Sequence, residues 1–283
     1  MKPLKSSSLI EMVNNYQLIH GDVFEGLKDL QSDSCDLIIV DPPYGASSTK
    51  NWNYNSEKKI KGFGGEWKLT SEAWDLLSQN DSFTSTFIWL SELKRIIKDT
   101  GSIWIHSTYH NSGFVNVSCQ LLGLEIINEI AWYKRNSFPN LSGRRLTASH
   151  ETILWVHKGN EKSRKYFFNY EASKSFNASY DLLKESGKQM RTVWDIPNNK
   201  SKEELQFGTH PTQKPIRVAE RILSLTGING GTLLIPFAGS GTEMVAGLKF
   251  GMNVIGFEID DTYYTIAKQR LDDAIIKSAN TLF

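Results

Sequence analysis

Leu37-Ile38-Ile39-Val40-Asp41-Pro42-Pro43-Tyr44 is an apolar run stopped by an acid, two prolines and an aromatic ring. A short unbroken apolar run that ends in punctuation of this kind reads as a buried strand entering a rigid turn. Two successive prolines fix φ and remove two backbone donors. The Pro42 carbonyl is thereby held between the Asp41 carboxylate and the Tyr44 ring. Two acceptors and an aromatic face suit a planar, amino-bearing base: each acceptor takes one N–H of an NH₂ group, and the ring stacks. An Asp-Pro turn by itself has no such meaning; the full tetrapeptide after an apolar strand does.

The residues around this turn repeat the strand–helix–strand rhythm of an α/β protein. Tyr16 to His20 reads as a strand, Val23 to Leu30 as a helix and Cys35 to Val40 as a strand. Ser71 to Asp99 is helical and Gly101 ends it. Ser102 to Ser107 is a strand, followed by a helix to Leu122. Glu125 to Tyr133 and Glu151 to His157 are strands joined by the basic loop from Lys134 to Arg145. Pro215 to Leu225 is a helix, Thr232 to Ile235 a strand, and a helix runs through Lys249. Asn253 to Glu258 is a strand and a last helix carries Tyr264, Ala267, Leu271 and Ile275. Met1 to Asn15 is a polar arm. Residues 45–66 lack periodicity and read as a mobile loop beside the tetrapeptide. Residues 159–208 read as a variable insertion within one domain, 1–283, and as the region that recognises a target.

Composition narrows the class. At 283 residues with 40% hydrophobic and 22% charged side chains, the chain has the balance of a globular protein. Its net charge of +1 names no partner. Between Ala131 and Tyr170, however, eight Lys/Arg face two acids, with aromatics interleaved. Lys134, Arg135, Arg144 and Arg145 are the candidates there for contact with nucleic-acid phosphates, and Trp132, Tyr133, Trp155, Tyr166, Phe168 and Tyr170 could stack on bases. A solvated face mixed with core aromatics explains that stretch as well. Two cysteines, Cys35 and Cys119, give neither a disulfide framework nor zinc spacing, so no metal is expected. No apolar segment is long enough for a bilayer, and a soluble, cytoplasmic protein is expected.

A second constellation lies late in the chain. Leu233 to Thr242 reads strand, glycine turn, helix start, with Phe237, Gly239, Ser240, Gly241 and Thr242 around the turn. Glycines permit a tight turn and a close approach to a ligand. Glu258 ends the next strand, where an acid can accept both hydroxyls of a ribose. The third glycine of the dinucleotide fingerprint is replaced by Met244, so a ligand with a ribose and no pyrophosphate fits better, and S-adenosylmethionine is of that kind. Asp22 is placed to accept that cofactor's adenine amino group, though a helix N-cap explains it equally well. His210, Lys214 and the following helix start are candidates for the cofactor's carboxylate, with a plain proline-started helix as the alternative.

Asp41-Pro42-Pro43-Tyr44, then His210-Pro211-Thr212-Gln213-Lys214-Pro215, then Phe237-Ala238-Gly239-Ser240-Gly241, then Glu258, together resemble the β group of DNA amino-methyltransferases, in which the catalytic motif precedes the cofactor loop. The resemblance covers roughly Tyr16 to Leu271. It implies a Rossmann-like, S-adenosylmethionine-dependent fold: a mostly parallel seven-stranded sheet with one antiparallel strand near an edge and helices on both faces. It implies methylation of adenine N6 on a base flipped out of double-stranded DNA, with Asp41, Pro42, Pro43 and Tyr44 catalytic. It leaves room for a cognate restriction endonuclease and a homodimer. Cytosine N4 stays open as the acceptor, although Asp41 leans toward adenine. A non-catalytic DNA-binding partner also stays open, because Ile235 stands where the family commonly has Asp.

Overall fold

The computed structural model describes residues 16–43, 79–137, 144–159, 162, 164–175 and 187–280. Tyr44, the 45–66 loop and the first part of the helix read from Ser71 lie outside them, as do residues 138–143 of the basic loop and 176–186 of the insertion.

In chain order the elements are β1 (Tyr16–His20), α1 (Val23–Asp29), β2 (Cys35–Val40), α2 (Gln79–Ile96), β3 (Ile97–Ser107), α3 (Ser112–Leu121), β4 (Leu124–Tyr133) and β5 (His150–Lys158), followed by α4 (Tyr170–Ser175), β6 (Val193–Asp195), α5 (Ile216–Thr226), β7 (Thr232–Ile235), α6 (Thr242–Phe250), β8 (Asn253–Glu258) and α7 (Asp261–Asn280). One sheet holds all the described strands in the order β1-β8-β7-β2-β3-β5-β4-β6. The first five are mutually parallel. β5 alone is reversed, antiparallel to β3 and β4 on either side, while β6 runs parallel to β4.

The β2 run explains its central place. Leu37 and Ile39 pack with α5, α6 and α7 on one face of the sheet, and Ile38 and Val40 pack with α1, α2 and α3 on the other. A strand buried on both faces needs no polar alternation, which is why the run is continuously apolar. Fully burying each such side chain contributes about 1.5–3 kcal/mol.

Three expectations change. The sheet has eight strands rather than seven. The extra one, β6, lies inside the 159–208 segment read as an insertion, and three residues are too few to show a period. β3 begins at Ile97, ahead of Gly101, so this glycine does not end a helix. A Cβ there would stand 2.6 Å from Ile97 Cδ1 and 2.8 Å from the Asp36 carbonyl. Glycine therefore permits the register shift where Cys35 pairs with Ile97 but Leu37 with Ser102. Third, Trp132 and Trp155 of the basic stretch are core side chains, 0% and 5% exposed, and cannot stack on bases. Trp155 stacks on Trp104 at 5.0 Å, and both indole N–H groups are satisfied internally, Trp155 by Ser102 Oγ and Trp132 by the Ile196 carbonyl. No described helix is long and apolar enough to cross a membrane.

Candidate active site

Parallel strands deliver their carboxyl ends to one edge of the sheet. Asp41 leaves β2 and the glycine loop leaves β7, and β2 pairs with β7. From β2 the chain builds outward to β3, and from β7 it builds the opposite way to β8. Asp41 and the loop therefore flank the point where strand order reverses, the place where open α/β sheets bind ligands. Glu258 ends β8 and Asp22 follows β1, one strand further along. The Gly21 amide donates to the Glu258 carbonyl at 3.0 Å, tying these two ends together.

The loop has the geometry that its glycines suggested. Gly239 sits at φ +50° and Gly241 at φ +76° as the N-cap of α6. A Cβ on Gly241 would come within 3.0 Å of Ala267 Cβ. The Gly239 amide donates to Glu258 Oε2 at 2.7 Å, and the Asp260 amide to Oε1 at 2.8 Å. Burial lifts the Glu258 carboxyl above its ordinary range, and these backbone bonds oppose the lift. Phe237 meets Trp89 edge-on at 6.2 Å.

Ser240 and Thr242 face inward to a residue that the sequence did not single out. The buried Arg270 of α7 donates through Nη1 to the Ser240 carbonyl (2.7 Å), to Ser240 Oγ (3.0 Å) and to Thr242 Oγ1 (3.0 Å). Both hydroxyls thus accept from a partner within the protein, and Arg270 ties this part of the loop to α7.

Asp22 is the N-cap of α1, accepting from the Phe24 amide at 2.8 Å, so the capping reading holds. His210 packs over the loop: its ring would lie 3.7 Å from a Cβ on Gly239, and it meets Tyr263 edge-on at 4.2 Å. Burial pushes its pKa down to about 4, so the ring is neutral near pH 7. At the N-terminus of α5 the Ile216 amide already donates to Glu204 Oε1 at 2.7 Å.

The partner the structure gives Lys214 is Asp41. Its ammonium, on a residue only 4% exposed, reaches Asp41 Oδ2 at 2.7 Å and Oδ1 at 2.9 Å, and the Thr212 carbonyl at 3.1 Å. A buried cation must be compensated. Burial pushes the ammonium's pKa down, but Asp41 and Glu151 outweigh burial and hold it above the usual lysine value. Glu151 of β5 lies 3.9 Å away on the other side and pairs with Lys134 at 2.6 Å. Lys134 is therefore a member of this buried chain of alternating charges, and Arg135 pairs with Asp195 at 2.7 Å. The outer two basic candidates differ: Arg144 and Arg145 are exposed, and Arg145 donates to the hydroxyl of exposed Tyr109 at 2.7 Å. Tyr109 follows β3, so this pair sits at the same edge as Asp41.

Two further groups join the site unannounced. His106 of β3 is buried with no hydrogen-bond partner on either ring nitrogen among the described residues, and burial lowers its pKa to about 4. Glu243, in the first turn of α6, is buried, and burial and the Asp41 charge raise its carboxyl to about 7. Ile235 is 1% exposed within the apolar core on the α5–α7 side, so its side chain belongs to the core. Among the described residues no group of His, Cys, Asp and Glu has the arrangement of a metal site.

The model of the DNA methylase family, which covers both N6- and N4-directed enzymes, matches residues 35–269. The chain belongs to this family. Type II methyltransferase M2.DpnII of Streptococcus pneumoniae is 35% identical over 92% of the chain and 90% of its own length. M2.LlaDCHI of Lactococcus lactis subsp. cremoris is 37% identical over 91% and 90%. M.HinfI of Haemophilus influenzae is 32% identical over 92% of the chain and 70% of its own length. Among solved structures, PvuII DNA methyltransferase, cytosine-N4-specific, superposes with a TM-score of 0.68 at 15% identity, covering 94% of this chain and 93% of that one. An M1.HpyAVI–SAM complex gives 0.60 at 24% identity, covering 91% and 99%. These superpositions place the DNA methylase in a Rossmann-like fold.

Proposed function

We propose that this DNA methylase transfers a methyl group from S-adenosylmethionine to N6 of an adenine flipped out of duplex DNA. The observation that carries the reading is the pairing of β2 with β7, which sets the Asp41-Pro42 turn beside the glycine loop. The chemistry of the loop suits this cofactor. Two glycines leave room for close approach. The Glu258 carboxylate, fixed by two backbone amides, retains lone pairs for a ribose diol. Asp22 stands at the neighbouring strand end. Gly239, Gly241, Glu258, Phe237, Asp22 and His210 would hold the group, with Ser240 and Thr242 acting through Arg270. Bound there, S-adenosylmethionine supplies an electrophilic methyl group on a sulfonium.

Asp41 and the Pro42 carbonyl each accept one N–H of the target amine. Those two bonds favour a pyramidal nitrogen and aim its lone pair out of the ring plane. Tyr44, outside the described residues, would stack on the base. A base inside the duplex cannot reach such a pocket, so flipping is required. Alignment supplies much of the acceleration. The three curated relatives named above are Type II methyltransferases, which supports a pairing with a restriction endonuclease.

The test is to incubate the protein with S-adenosylmethionine and unmethylated DNA, digest to nucleosides and analyse by mass spectrometry. N6-methyldeoxyadenosine is expected, and N4-methyldeoxycytidine would move the assignment to cytosine. Asp41→Ala should bind the cofactor as wild type does yet yield no methylated base; turnover by that variant would remove Asp41 from the reaction.

A further inference from the structure

The amine that Asp41 is to receive must compete with Lys214, which holds both carboxylate oxygens. The second carboxylate beside that ammonium is arranged unusually. Glu151 Oε1 accepts from Lys134 at 2.6 Å, while Glu151 Oε2 is buried and has no hydrogen-bond partner among the described residues. It lies 3.9 Å from Lys214 Nζ, about 1 Å beyond hydrogen-bond length. A buried acceptor left unmade is costly, and native structures seldom keep one without a use.

We propose that Lys214 is a movable cap on the catalytic carboxylate and that Glu151 is the positioning residue that takes the ammonium over when the target amine enters, freeing the lone pairs of Asp41. The proposal rests on the assignment of Asp41 as the acceptor for that amine. Lysine suits the motion, being a point charge on a flexible stem with three rotatable donors. Its destination is rigid. Glu151 sits on β5 opposite Trp132 of β4, and Lys134, whose amide donates to the Ser149 carbonyl at 2.7 Å, pins the far oxygen. The remaining titratable groups facing the pair are His106, His210, Glu243 and Lys200, whose ammonium is held by the Asn198 carbonyl at 3.2 Å and by Asn198 Oδ1 at 3.0 Å. Both histidines are neutral, so neither supplies a rival cation to Glu151. A pair that served only to stabilise the fold would have no use for a second carboxylate left just short of contact.

Glu151→Gln preserves shape and removes the destination, since an amide cannot receive an ammonium as a carboxylate does. Single-turnover methylation with methyl-labelled S-adenosylmethionine, on plasmid DNA that wild type methylates, reads the effect. The expected result is a saturating rate reduced about tenfold or more, with half-saturating cofactor and DNA concentrations within about twofold of wild type. Glu151→Asp, which keeps the charge and shortens the reach, should fall between the two. A Glu151→Gln rate equal to wild type, or a loss confined to the half-saturating concentrations, overturns the cap. If Glu151→Gln does not fold, a wild-type rate in Glu151→Asp overturns it instead. Failure of wild type itself to methylate any DNA overturns the cap together with the function beneath it, whereas turnover by wild type with an indifferent Glu151→Gln overturns the cap alone.

Discussion

Glu243 carries a cost that pH can reveal. It sits in the first turn of α6, where a carboxylate normally gains from the helix dipole, yet burial and the charge of Asp41 raise it to about 7. In the unfolded chain a glutamate titrates near ~4.3. Between those values the folded state holds the proton more tightly, so folding stability falls as pH rises through the window and stays lower above it. A raised pKa of this size corresponds to a loss on the order of 3 kcal/mol between roughly pH 4 and 8. Glu243→Gln should remove that part of the slope and raise Tm at pH 8 with little change at pH 4.5. A pH–Tm curve parallel to wild type would mean that Glu243 is ionised at little cost. Nothing in the sequence marks this residue, nor Glu151 or Arg270. Asp41 was legible because rigid prolines define a local shape, and Gly239 because glycine permits one. Glu243, Glu151 and Arg270 take their meaning from partners far away in the chain, and no local pattern encodes those.

At the scale of elements, the glycine loop shows the same divide. Its turn could be read from two glycines at a strand end. Its brace could not, because Arg270 approaches from the middle of α7, 30 residues beyond Ser240. One guanidinium nitrogen there satisfies three acceptors in a buried setting, and truncation leaves the Ser240 carbonyl and two hydroxyls to find other partners. Arg270→Met keeps most of the apolar stem and removes the donors. Hydrogen bonds to a charged donor contribute about 1.5–3 kcal/mol each in isolation and far less than additively when shared. We therefore expect Arg270→Met to destabilise the protein by about 2–4 kcal/mol in denaturant melts. It should also weaken S-adenosylmethionine binding in calorimetry, because the loop that presents Gly239 loses its anchor. Undiminished cofactor affinity would show that the loop holds its shape without the brace. β6 escaped the sequence for a different reason. It is three residues long and exists only because β4 offers an edge, so its cause is tertiary.

For the whole molecule the question is how a chain with a net charge of +1 attracts a polyanion. Long-range attraction from the total charge is negligible, so affinity must come from where the cations sit. The basic stretch around β4 and β5 does not act as one patch. Lys134 is sunk into the Asp41 cluster, Arg135 lies against Asp195, and Lys158 and Arg164 pair with Asp33 and Glu125. Among the described residues of that stretch Arg144 and Arg145 stay exposed, and exposed Tyr109 lies beneath the Arg145 guanidinium, 5.9 Å from its ring centre, at the edge where Asp41 lies. A sum of charges along the sequence cannot tell these roles apart, since which lysine meets a carboxylate depends on strand pairing. Each phosphate contact contributes about 0.9 to the slope of log K against log salt. Arg145→Ala should weaken binding to DNA about tenfold at low salt and flatten that slope by about one, measured by fluorescence anisotropy over a salt series. It should leave cofactor affinity untouched, since Arg145 and the glycine loop stand on opposite sides of β2. An unchanged slope with relaxed choice of methylated sites would instead make Arg145 a reader of base edges, and no change in either would take DNA away from this face.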